Sequence, residues 1–249
     1  MPHDSTTSSR ELSAHPVRNL LFALFLMTAV LALISIRYQT PPPKPADAPA
    51  MEFSAARARQ FLQELLGDGT PHPIGSAANA QVRSRILSNL VKLGYAPEVQ
   101  RETVCSSFGA CGDVQNVVAR REGLEPGPAI LLAAHYDSVG AGPGASDDGA
   151  GAAAVLEIAR ALKAAPPLRH SIIFLIDDGE EAGLLGARAF VEHHRWAKEV
   201  AAAVNLEARG TSGPSLMFET GSANAWLMHL FSHAVDRPIT SSIFYTAYK

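Results

Sequence analysis

Only two cysteines, Cys105 and Cys111, occur in the 249 residues. One pair cannot by itself frame a metal site. If the domain lies outside the cytoplasm, a disulfide closing the short loop between them is expected. Cationic runs are also missing. Lys and Arg never gather four in a row, and the formal net charge is only -3. Such a chain has no electrostatic grip on nucleic acid, so no nucleic-acid partner is expected. No internal repeat is present. The length suits one medium domain with a short appendage.

The appendage is apolar. Leu20–Ile36 carries no charge and is interrupted only by Thr28 and Ser35. As a helix it covers about 25 Å at ~1.5 Å per residue, and Asn19, Arg37 and Tyr38 can extend it into the headgroups. A cleaved signal peptide is the competing reading. The nearest small-residue site, Ala46-Asp47-Ala48, lies well past the run and precedes Pro49, so an uncleaved single-pass anchor is expected. Arg10 and Arg18 before the run balance Arg37 and Lys44 after it, so flanking charge leaves orientation undecided. An extracytoplasmic C-terminal domain is favoured, because an N-terminal anchor commonly exports the long C-terminal part of its chain.

Residues 1–19 then form a tail, 20–36 the anchor, 37–52 a linker and 53–249 the domain. Thr40–Pro49 (TPPPKPADAP) is rich in proline and is expected to act as an extended, semi-rigid spacer. From Phe53 apolar residues recur at helical spacing until Gly67-Asp68-Gly69, and Pro71-His72-Pro73 prevents the helix from resuming. A second helix is read over Val82–Leu93, and strands over Val99–Val104 and Val114–Arg120. Three apolar runs come next, Ala129–Ala134, Ser171–Ile176 and Val200–Leu206. They lack polar alternation, as strands buried on both faces do. Helical patterns over Gly151–Lys163 and Ala182–His194 separate them. The alternation predicts an α/β fold with a mostly parallel mixed sheet and helices on both faces, preceded by one transmembrane helix.

Each apolar run ends in polar residues. His135 and Asp137 come after the first, with Asp147 and Asp148 beyond them. Asp177, Asp178, Glu180 and Glu181 come after the second, and Glu207 after the third. In open α/β sheets ligands bind at the carboxyl ends of the strands. One imidazole among several carboxylates suits Zn²⁺ better than Mg²⁺, and a divalent cation, or two, relieves the repulsion of crowded carboxylates. Taken singly, each motif has a plainer use. Asp147 or Asp148 could cap a helix, and Glu180 and Glu181 could sit in a first helical turn.

Together the segments AHYDSVGAGPGASDDGAG, DDGEEAGLLGARAF and VNLEARG resemble the co-catalytic zinc aminopeptidases. That family includes leucyl-type aminopeptidases and glutamate carboxypeptidase II-like enzymes. PHPIGSAAN and NLEARG look most like its endoplasmic-reticulum metallopeptidase branch. The resemblance implies two Zn²⁺ per complete site and a peptide substrate. It implies His135 and Glu207 as ligands of the first zinc, Asp147 as the bridge and Glu181 as a ligand of the second. Asp137 would orient His135, and Glu180 would be the general base. The family pattern also expects a further histidine. No segment after Glu207 matches it, so the chain reads as C-terminally incomplete, with this ligand expected beyond Lys249. His229 and His233, four residues apart on a helical pattern, read as helix surface, as does His193-His194. Two other readings stay open: glutaminyl cyclase-like chemistry with one zinc, and a non-catalytic receptor or scaffold on the same fold.

Overall fold

The computed structural model describes residues 16–107, 109–208 and 213–240. They fall into two units. One holds the N-terminal helix and the segment from 213 onward; the other runs from Pro42 to Thr211.

In the first unit, helix α1 spans Pro16–Arg37. Every one of its large apolar side chains is exposed. At 22 residues it is about 33 Å long, long and apolar enough to cross a membrane.

In the second unit, helices α2 (Ala55–Leu66) and α3 (Ala77–Lys92) precede a hairpin of β1 (Glu98–Cys105) and β2 (Cys111–Arg121). Strand β3 (Ala129–His135), helix α4 (Ala150–Ala164), strand β4 (Ile172–Asp177), helix α5 (Leu185–His193) and strand β5 (Val200–Asn205) come after it. The sheet order is β1-β2-β4-β3-β5. Strands β3, β4 and β5 are parallel, and β2 runs antiparallel to both β1 and β4. Only β2 opposes the common direction, so the expected mostly parallel mixed sheet is what forms.

The pleat explains the layers. Val117, Leu132, Phe174 and Ile176 point to one face, where Leu65, Ile86, Leu90, Val155 and Leu156 of α2, α3 and α4 cover them. Val118, Leu131, Ala133, Ile173 and Leu175 point to the other, against Phe190 of α5. All six residues of β4 are buried, which is why its sequence shows no alternation.

Two boundaries differ from expectation. Helix α3 begins at Ala77, ahead of Val82, because the Ser76 hydroxyl accepts from the Asn79 N–H and starts the helix early. Helix α5 begins at Leu185, later than Ala182. The N–H groups of Glu180 and Glu181 donate to Asp137, so this stretch turns away from the helical path.

The cysteines pair as expected, Cys105 to Cys111, at the mouth of the β1–β2 hairpin. Closing so short a loop restricts the unfolded chain by about 2 kcal/mol. Cys105→Ser is expected to lower denaturant-unfolding stability by about that amount; an unchanged midpoint would show that the hairpin needs no staple.

Part of the expected linker is hydrogen-bonded to the body. Glu157 on α4 is wholly buried and takes Ser54 N–H, Arg57 Nε and Arg160 Nε. Burial opposes its charge, but Arg160, Ser54 and Arg57 outweigh that and hold the carboxyl below its ordinary range. The two guanidinium groups then donate outward, Arg57 to the carbonyls of Ala46, Ala48, Pro49 and Glu52, Arg160 to those of Ala50 and Glu52. Residues 46–52 are thereby strapped onto the body. Proline-rich backbone has few donors, so its carbonyls need donors from elsewhere. Glu157→Ala leaves two arginines without their buried partner and is expected to cost about 3 kcal/mol, measured as a drop in unfolding free energy.

Candidate metal centre

Parallel pairing sets the positions. In the β3–β4 register His135 faces Asp177, and in the β3–β5 register Ala133 faces Asn205. The ladder continues with Leu206 N–H to Ala133 O at 2.9 Å. Two residues beyond Ala133 and Asn205, His135 and Glu207 therefore reach the same level. The Gly144–Gly149 turn carries Asp147 to the same edge.

One ligand atom each from His135, Asp147 and Glu207 lies within 4.8 Å of the others. His135 Nε2 is 3.1 Å from Asp147 Oδ1, 3.8 Å from Glu180 Oε2 and 3.8 Å from Glu207 Oε1. Its other nitrogen faces Asp137, with Nδ1 3.1 Å from the carbonyl and 3.4 Å from Oδ1. Asp137 is buried, and its carboxylate accepts the N–H groups of Glu180 at 3.0 Å and Glu181 at 3.3 Å. One carboxylate thus ties the β3 end to the loop after β4.

Glu181 stands apart from the other predicted ligands. It is exposed, outside the three residues whose donor atoms converge. Burial and then the charge of Asp147 raise its carboxyl. His229 and His233 share one face of helix α6 (Ala225–Ala234) in the other unit, rings 4.2 Å apart and exposed.

Asp148 was visible in the sequence as one of the acids beyond β3 and as a possible cap, without an assigned role. It is buried, accepts the His135 N–H at 3.3 Å and the Gly151 N–H at 3.0 Å, and so joins the end of β3 to the start of α4. A Cβ at Gly151 would lie 2.2 Å from this carboxylate, so glycine is required there. The signal was the DDGAG pattern, where a small residue comes just after a buried acid.

Burial and charge crowding together shift several of these groups. Burial disfavours the His135 cation, but hydrogen bonds to Asp137 and Glu207 outweigh it and push the imidazole up to about 12. Burial pushes Asp148 and Asp177 up to about 8. Burial also raises Glu180, helped by the charges of Glu207 and Glu181. Burial and the charge of Glu207 push Asp147 up. Burial works against Glu207 too, but hydrogen bonds from His135 and the Ala208 N–H prevail and hold it low. In the absence of a cation, protons relieve this acidic cluster. A divalent cation does the same without them, and one imidazole with two converging carboxylates is a fitting donor set for zinc.

Residues 116–249, more than half of the chain, match peptidase family M28. The chain belongs to this family. It is 33% identical over 244 residues to mouse endoplasmic reticulum metallopeptidase 1, covering 90% of this chain and 27% of the relative. It is 30% identical over 256 residues to the vacuolar membrane protease of Yarrowia lipolytica, covering 92% and 25%. The M28 chain thus spans about a quarter of the length of these curated relatives. Among solved structures, a Zn-dependent exopeptidase from Parabacteroides distasonis matches with TM-score 0.62 and 18% identity, over 78% of each chain. A glutaminyl cyclase from an Acidobacteriales bacterium matches with TM-score 0.63 and 22% identity, over 82% of this chain and 76% of that one. These two likenesses concern the fold. The expected zinc-exopeptidase fold and metallopeptidase family are both borne out.

Proposed function

We propose that this M28 chain is a membrane-anchored, zinc-dependent exopeptidase of the aminopeptidase type, acting on peptides through a two-metal centre. The observation that carries the reading is the convergence of His135, Asp147 and Glu207 beside Glu180 at the carboxyl ends of β3, β4 and β5. His135 and Glu207 would hold the first zinc, Asp147 would bridge, and Glu181 would serve the second. Zinc bound there supplies Lewis acidity toward a carbonyl and a water.

The protein's own part is proton handling and orientation. Asp137 holds the His135 ring through Nδ1, leaving Nε2 free to face the centre. Glu180 is partly buried and its carboxyl is raised, which suits a base that takes a proton from water and returns it to a leaving amine. Its backbone is fixed by Asp137, so it is poised before substrate arrives.

The anchor reading rests on α1 and on the relative named a membrane protease. The Cys105–Cys111 disulfide supports an oxidising, extracytoplasmic side. Protease added to intact cells is expected to digest the catalytic unit; full protection would reverse the topology. The activity test is release of free amino acids from short peptides with a free amino terminus, dependent on added Zn²⁺. Ammonia release from an N-terminal glutamine without chain shortening would instead favour the cyclase chemistry.

A further inference from the structure

The PHPIGSAAN segment takes no part in the proposed centre, yet its last residue reaches behind it. Asn79 is buried in the first turn of α3. Its Nδ2 donates to Asp178 Oδ1 at 2.8 Å. Its Oδ1 accepts from Arg83 Nη1 at 3.1 Å and lies 3.4 Å from the Tyr136 hydroxyl oxygen. Tyr136 lies between His135 and Asp137. Asp178 lies two residues before Glu180. One amide therefore touches both segments that carry the centre.

Asp178 is itself fixed on every side. It is buried, and its Oδ2 accepts the Gln115 N–H at 3.0 Å. Its own N–H donates to Asn116 Oδ1 at 3.0 Å. Gly186 of α5 packs so close that a Cβ there would lie 2.4 Å from Asp178 O. Tyr136 is likewise held, its hydroxyl donating to Gln115 O at 3.0 Å. The β3-end and β4-end segments thus meet at Asn79, as they also meet at Asp137.

The geometry points to Asn79, acting through Asp178 and Tyr136, as a positioning residue that sets the spacing between His135–Asp137 and Glu180–Glu181. This rests on the peptidase reading for its catalytic consequence, though not for its effect on metal binding. Buried groups that orient metal ligands from behind typically matter by about 10–100-fold in metal affinity or activity.

The test is a donor–acceptor exchange in the full chain. Asn79→Asp sets two carboxylates against each other in the same volume. Adding Asp178→Asn restores a donor facing an acceptor, with the new amide oxygen at position 178 still open to Gln115 N–H. Zinc affinity, by competition with a chromogenic chelator, and kcat on a short peptide are read together. N79D is expected to lower both by about 10–100-fold with KM little changed, and N79D/D178N to recover both. Wild-type zinc affinity in N79D, or no recovery in a double variant that unfolds at the wild-type midpoint, overturns the inference. If N79D does not fold, Asp178→Asn alone, which sets amide against amide, is read by the same criteria. A wild-type protein that binds zinc but cleaves no peptide sinks the peptidase reading only, and the zinc arm then decides the inference.

Discussion

Glu180→Gln is expected to lower peptide turnover by roughly 10²–10⁴-fold while zinc content stays at the wild-type level. The change is isosteric. It keeps the backbone N–H that donates to Asp137, so the loop after β4 should hold its path. It removes the group that can accept a proton beside the centre, 3.8 Å from His135 Nε2. Glu180 is not among the three residues whose donor atoms converge, so zinc content should hold. Kinetics on a short peptide, paired with elemental analysis of the same sample, separates the effects. Turnover retained at zinc parity would mean that another group takes the proton. Lost turnover with lost zinc would place Glu180 among the ligands instead.

His135→Ala is expected to empty the centre, with zinc affinity falling by more than the ~10–100-fold typical of losing a group that merely orients a ligand. The imidazole is buried, and its Nε2 faces Asp147, Glu180 and Glu207. Among the described residues that converge here, its removal leaves only carboxylates, which suit harder cations than zinc. Peptide cleavage should vanish with the metal, and excess Zn²⁺ should not rescue it at ordinary concentrations. His229→Ala is the control. It removes an exposed imidazole from α6 and should leave zinc content unchanged. Wild-type zinc in H135A, or zinc loss in H229A, would reverse the ligand assignment.

The layered fold and the carboxyl edge were legible because both arise from short-range rules. The apolar run Ser171–Ile176 is a strand with two covered faces, whereas Val200–Asn205, expected to be the same, forms a strand that is mostly exposed; the polar residues after both runs share one edge because the strands are parallel. The start of α5 was not legible. Residues Ala182–Leu184 continue a helical pattern, but the N–H groups of Glu180 and Glu181 bond to Asp137, more than forty residues away in the chain. The strap was hidden for the same reason, since TPPPKPADAP has the composition of a spacer, yet its Ala46, Ala48 and Pro49 carbonyls are claimed by Arg57.

By itself the sequence determined which residue types meet at the centre, because strand ends, glycine turns and acidic pairs are local patterns. It also determined the apolar helix, whose length and composition are properties of one segment. Only the tertiary structure decided how those residues are held. Asp148 bracing β3 against α4, Asp137 gripping the Glu180 loop and Asn79 joining Tyr136 to Asp178 are all contacts between distant segments. Their energy comes from satisfying polar groups where water is excluded, and burial of that kind exists only once the layers have closed.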